Sequence, residues 1–117
     1  MKNKSSTRYA SSIQENRVAS KLGGYVNSNS GAGLFKKGDI LIKDINLGIE
    51  CKTCMNEKTS FSIKKEWLEK NKQEVFSNRL DNMIIAFNFY YDDKNDYYII
   101  DDKLMKYLVE KLREDNK

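Results

Sequence analysis

Asp39, Glu50 and Lys52 stand in an order that could do chemistry: a carboxylate, ten intervening residues, a second carboxylate, and a lysine two positions later. Neighbouring carboxylates bind a hard cation, and Mg2+ takes a few such oxygens together with waters and substrate phosphate oxygens. A cation held there polarises a phosphoryl oxygen and lowers the pKa of a bound water. A lysine beside it can orient or deprotonate that water and offset developing negative charge. On a solvated strand the same residues make an ordinary salt bridge, and a lone Glu-x-Lys carries almost no information. The elements around them therefore decide the matter.

Stretches 38–43 and 47–53 read as strands joined by a hairpin loop at 43–46. If Ile42 pairs with Leu47, then Ile40 pairs with Ile49. All four branched side chains then share one face, because directly opposed residues point the same way. In that register Asp39 lies opposite Glu50 on the other face, and strand alternation sets Lys52 beside Glu50. A slip of one residue breaks the apolar pairing, so the pattern itself specifies the register. A third carboxylate, Glu15, sits on a helix predicted over 9–22 and stopped by Gly23 and Gly24. Glu15 is seven residues before Leu22 and so within about 20° of it around the axis, which aims it at the sheet. A buried carboxylate needs a partner or a metal, and a cation at the sheet would supply one.

The rest of the chain supplies a frame. Residues 25–27 suit a short strand and 27–33 (NSNSGAG) a loop of small residues. Ser62 is expected to N-cap a helix running to about residue 76, with Ile63, Trp67, Asn71 and Val75 at spacings of four. The nearly continuous apolar run at 83–91 (MIIAFNFYY) predicts a strand buried on both faces. A strand at 96–100 follows a turn at 92–95, and a helix over 101–113 carries Leu104, Leu108 and Leu112 in its stripe. The order is helix, three strands, helix, two strands, helix. That predicts one α/β domain over 1–117, a mixed sheet of about five strands flanked by helices, with 1–7 as a flexible basic tail.

Composition narrows the class. At 117 residues, with 39% hydrophobic and 32% charged, the chain is expected to fold as one core. A net charge of +4 suits an anionic partner, nucleic acid first. No apolar run reaches the ~18 residues that span a bilayer, and 1–12 holds no signal-peptide core. No membrane partner and a cytoplasmic location are expected. Cys51 and Cys54 lie three apart, but with no histidine and no other cysteine they cannot complete a zinc site. They are expected to be two unrelated reduced thiols, Cys51 on the core face and Cys54 pointing the other way. Lys64, Lys65 and Lys72 could touch phosphates; a solvated face is the competing use, supported by the i,i+4 spacing of Lys65 and Glu69. Lys36 and Lys37 precede the Asp39 strand and should rim the site. Lys2, Lys4 and Arg8 make either a basic arm or a soluble tail. Trp67 is expected in the core, and Tyr90, Tyr91, Tyr97 and Tyr98 in strand packing rather than base stacking.

Gly38-Asp39 followed by Glu50-Cys51-Lys52 resembles the PD-(D/E)xK nuclease superfamily, with Gly38 where proline often stands. Glu15 is similar to the helical glutamate of its Holliday-junction resolvase branch. The order Glu, small-residue loop, Asp, Glu-x-Lys, helix resembles archaeal and phage resolvases over roughly residues 12–89. The resemblance implies a restriction-endonuclease-like core in an intracellular, phage- or prokaryote-encoded endodeoxyribonuclease. It implies a homodimer that cuts four-way DNA junctions symmetrically with Mg2+ or Mn2+. It makes Asp39, Glu50 and the Cys51 carbonyl metal ligands, with Glu15 as a further acidic member, and Lys52 the catalytic lysine. Resolvases often carry a serine or small-residue loop ahead of the Asp strand, and Ser30 is the best match for that DNA contact; a simple connecting loop explains it equally well. The same core serves enzymes that cut ordinary duplex DNA or RNA. A non-catalytic nucleic-acid-binding module of this fold is a further alternative, disfavoured because all four polar site residues are present.

Overall fold

The computed structural model describes residues 7–27 and 38–116. Its elements in chain order are α1 (Thr7–Leu22), β1 (Tyr25–Val26), β2 (Ile40–Ile42), β3 (Leu47–Lys52), α2 (Lys65–Asn78), β4 (Asn82–Phe87), β5 (Tyr97–Ile99) and α3 (Asp102–Asp115). Among the described residues, the five strands form one mixed sheet in the order β1-β2-β3-β4-β5, flanked by three helices. Neighbours are antiparallel except β3 and β4, which run parallel and are joined through α2. This is the α/β architecture and the element order expected.

The hairpin takes the register that the apolar pairs demand, with Ile40 opposite Ile49 and Ile42 opposite Leu47. The turn between the strands is a single 3-10 turn, Lys43–Ile45, closed by Asn46 in the left-handed region at φ 53°; asparagine tolerates that conformation better than most residues. Ile40, Ile42 and Ile49 are buried together with Ile84 and Ala86 from β4 and with Val18 and Ala19 from α1. Helix α1 therefore covers this face of the sheet. Side chains one position along, Lys52 and Phe87, point to the opposite face, where Trp67 of α2 and Phe61 pack. Strand β4 is covered on both sides, as its run of Ile84, Ile85 and Ala86 all buried shows.

Four local expectations are corrected. The strand at 83–91 ends at Phe87, because Asn88 turns into a buried polar network and a turn at Tyr90 follows. Ser62 does not cap α2: the helix starts at Lys65, and Lys64 sits at the cap in extended backbone without a side-chain cap. Ile63 consequently falls outside the helix and is exposed, whereas Trp67, Asn71 and Val75 do face inward. Tyr97 and Tyr98 do pair within the sheet, and the Tyr97 ring lies 5.8 Å from Phe87 and 6.1 Å from Phe89, yet the two remain 50% and 37% exposed on β5, the end strand of the order. Helix α3 is N-capped by Asp101, whose carboxylate accepts from the Leu104 amide at 2.9 Å. Its apolar stripe is another matter. Leu104 packs on the core, yet Leu108 and Leu112 stay exposed.

Candidate functional site

Asp39 is held from three directions. Its amide donates to the Ile49 carbonyl at 2.9 Å, and its carbonyl accepts from the Asn27 amide at 2.8 Å. Its carboxylate Oδ2 accepts from the Cys51 amide at 2.9 Å. The side chain is thus laid against the Glu50-Cys51-Lys52 segment of β3. Gly38 makes this possible. Its φ is +89°, and a Cβ there would stand 2.6 Å from Met83 Cε and 3.0 Å from the Ile49 carbonyl oxygen. Proline, fixed near φ −65°, cannot take this backbone, which accounts for glycine at the position.

On β3, Glu50 Oε2 lies 3.9 Å from Lys52 Nζ, with side chains 18% and 27% exposed. Lys52 Nζ also sits 4.3 Å from the centroid of the Trp67 ring. Trp67 is thus more than the core residue expected. In a strand the amide and carbonyl of one residue lie on the same edge, so the Cys51 carbonyl shares the β2-facing edge with the amide that Asp39 accepts from. Asp39 is thus tied to the Cys51 backbone, between the Glu50 and Lys52 side chains that pair with each other on the same strand.

Glu15 is placed differently. The inward face of α1 is Ala10, Gln14 and Val18, all buried, while Leu22 is 40% exposed. Leu22 is the last residue of the helix and does not share its buried face, so alignment with it misjudges the inward face by about one residue. Gln14 is the side chain that enters the sheet, and Glu15 lies half-buried at its border. Glu15 still acts on the site through its field. Burial first, then Asp39, Glu15, Glu50 and Asp96, push the Cys51 thiol up. Among the described residues, no three Asp, Glu, Cys or His side chains lie close enough to share a metal ion, so Glu15 does not join Asp39 and Glu50 in one cluster. The donors offered along the hairpin, two carboxylates and a backbone carbonyl, are hard oxygens. They fit Mg2+ or Mn2+, which keep several waters.

Lys64 and Lys65 stand exposed at the N-terminal end of α2, two or three residues before Trp67, and Lys65 makes its 4.0 Å pair with Glu69. Lys72 is exposed two turns further on. Ser30, Lys36, Lys37, Lys2 and Lys4 lie outside the described residues. Cys51 and Cys54 form no disulfide.

Sequence inspection missed a polar network on the α1 side. Asp96, its side chain fully buried, takes two bonds from Arg17, at 2.8 and 2.9 Å, and one from Asn88 at 3.1 Å. Gln14 Nε2 donates to the carbonyls of Lys52 at 3.0 Å and Ala86 at 3.3 Å, and reaches Asp96 at 3.4 Å. Thr53 closes the chain by donating to Asn88 Oδ1. This network holds the end of β3 from behind. Its members lie up to 82 positions apart, so no local spacing reveals them; the available signal was Asn88, a polar residue within the apolar run at 83–91.

The buried, acid-flanked Cys51 gives a direct check. The upward shift favours the neutral thiol, so thiolate is scarce near neutral pH. In a Cys54→Ser variant at pH 8, Cys51 is expected to react with a disulfide reagent at least about 100-fold more slowly folded than unfolded. Fast modification in the folded protein contradicts the placement. No family model matches the chain, and no curated protein and no solved structure matches it.

Proposed function

We propose that the chain is a Mg2+- or Mn2+-dependent endodeoxyribonuclease with a restriction-endonuclease-like core, acting on branched DNA of the four-way-junction kind. The observation that carries this is the meeting of Asp39 with the Glu50–Lys52 segment across the β2–β3 hairpin. Asp39, Glu50 and the Cys51 carbonyl are the groups that would hold the cation. Bound there, it supplies a polarised phosphoryl oxygen and an acidified water.

The chain's own residues do the remainder. Asp39, tied by its bond to the Cys51 amide, keeps β2 and β3 from separating when phosphate presses on them. Lys52 brings a positive charge to the place where negative charge develops, and its ammonium can orient the attacking water. Lys64 and Lys65 hold flanking phosphates, where the amides at a helix N-terminus already favour an anion. Four-way junctions need two symmetric cuts, and two copies related by a two-fold axis provide them. The exposed apolar side of α3, with Met105, Leu108 and Leu112, supports such a contact. No helix among the described residues is long and apolar enough to cross a membrane.

One observation favours a different role. The Asp39 carboxylate ties the two strands by itself, as it would in a nucleic-acid-binding module without catalysis. Incubation with a four-way junction, linear duplex, single-stranded DNA and RNA, with Mg2+, with Mn2+ and with neither, separates the cases. Paired nicks in the junction alone, only with Mg2+ or Mn2+, and light scattering at twice 13.7 kDa are expected. Equal cutting of linear duplex or RNA moves the assignment to a general nuclease, and binding without cutting in either metal supports the module.

A further inference from the structure

Among the described residues, two groups stand against the Lys52 ammonium, and they differ in kind. Glu50 is charged and is a proposed cation ligand. Trp67 is neutral, and its ring centroid lies 4.3 Å from the ammonium. The ring is itself anchored: it packs on Phe61 at 6.2 Å, and Phe61 packs on Phe87 of β4 at 5.0 Å. An aromatic chain thus ties the first turn of α2 to the sheet beneath the site.

A divalent cation on Glu50 would disturb Lys52 twice: the Glu50 oxygen would turn away from the ammonium, and the ammonium would be repelled directly. Lysine has a long, flexible stem and would swing toward solvent. A second carboxylate could restrain it only by competing for the cation. An indole face attracts an ammonium through its quadrupole while carrying no net charge, and is worth roughly a factor of two to thirty in the population of the docked conformer. We propose that Trp67 is the positioning residue of Lys52, holding the ammonium at the Glu50 end of β3 when Glu50 turns to a cation. This rests on the nuclease function proposed above.

Trp67 is the chain's one tryptophan, so its emission reports on the contact without any cleavage. Lys52→Met is expected to shift that emission in metal-free protein, and Mg2+ alone to change it in the wild type but not in Lys52→Met. In the junction assay, Trp67→Phe should cleave within about threefold of wild type. Trp67→Leu should lose at least about tenfold in kcat with KM unchanged, and the Lys52→Met/Trp67→Leu double variant should be no slower than Lys52→Met alone. An emission spectrum indifferent to Lys52→Met overturns the proposal, even if Trp67→Leu proves too unstable to assay. A folded Trp67→Leu that cuts at the wild-type rate also overturns it. If emission responds to Lys52 but the wild type cleaves nothing, the contact stands and the nuclease function is what has failed, taking the positioning role with it.

Discussion

Asp39→Asn or Glu50→Gln is expected to lower the cleavage rate by at least ~10²–10³-fold while leaving junction binding within a few-fold of wild type. The asparagine variant is the cleaner of the two. Its amide oxygen can still accept from the Cys51 amide, so the 2.9 Å tie between β2 and β3 survives and only the charge is removed. Glu50→Gln keeps its length but gives up the pair with Lys52. That pair is partly solvated and contributes on the order of 1 kcal/mol or less to stability, so the fold should hold. Affinity should change little because, in the proposed function, it would come from lysine–phosphate contacts and counterion release. Removing a carboxylate from a place flanked by Glu15 and Asp96 can even tighten binding. Single-turnover cleavage and a binding isotherm at fixed salt give both quantities. Wild-type cutting by Asp39→Asn in Mg2+ removes Asp39 from the chemistry and leaves it a strand tie.

What could be read in the sequence was what repeats locally. Four apolar residues, Ile40, Ile42, Leu47 and Ile49, admit one pairing that buries them together, and that pairing also sets Asp39 against the Glu50–Lys52 segment. The run through Ile84, Ile85 and Ala86 has no polar side to turn outward, so its burial on both faces follows. Helix faces were harder. The inward face of α1 centres on Gln14, a polar residue that no apolar stripe would select, and Leu22 pulled the inferred face toward Glu15. The stripe of α3 is apolar but only its first turn reaches the core, because a stripe states what a helix would bury and not whether anything covers it. Trp67 was legible as an inward residue of α2, but its partner Lys52 belongs to a strand and lies 15 positions earlier. Contacts between elements are set by how the elements pack, and a single sequence carries no periodic trace of them.

The same distance in sequence hides the group whose loss should cost most stability. Asp96→Ala is expected to destabilise the protein by about 3–5 kcal/mol, the range for removing one partner of a buried ion pair. Asp96 is fully buried, and Arg17 is 15% exposed, so the stranded guanidinium has little access to water. Hydrogen bonding to Asp96 is the main influence raising the Arg17 pKa, against the opposing effect of burial. An arginine keeps its proton even without that bond, so Arg17 stays charged in the variant and cannot escape the penalty by losing it. Asn88 and Gln14 lose an acceptor in the same step. For a chain of this size the melting temperature should fall by on the order of 15 °C. Asp96→Asn, which keeps an acceptor but not the charge, should cost about half as much. A paired Arg17→Met/Asp96→Leu change should recover most of the loss, because it removes both charges together; Asn88 and Gln14 would keep the recovery incomplete. The consequence reaches the site through the end of β3. Gln14 Nε2 holds the Lys52 carbonyl at 3.0 Å, and Lys52 carries the ammonium that faces Glu50 on the other side of the sheet. Thermal unfolding of the three variants, followed by cleavage assays well below each midpoint, tests both halves. If Asp96→Ala melts within 2 °C of wild type on that order-of-magnitude scale, the network is not the brace that its geometry describes. If it melts early yet cuts normally when folded, the brace supports the fold without setting Lys52.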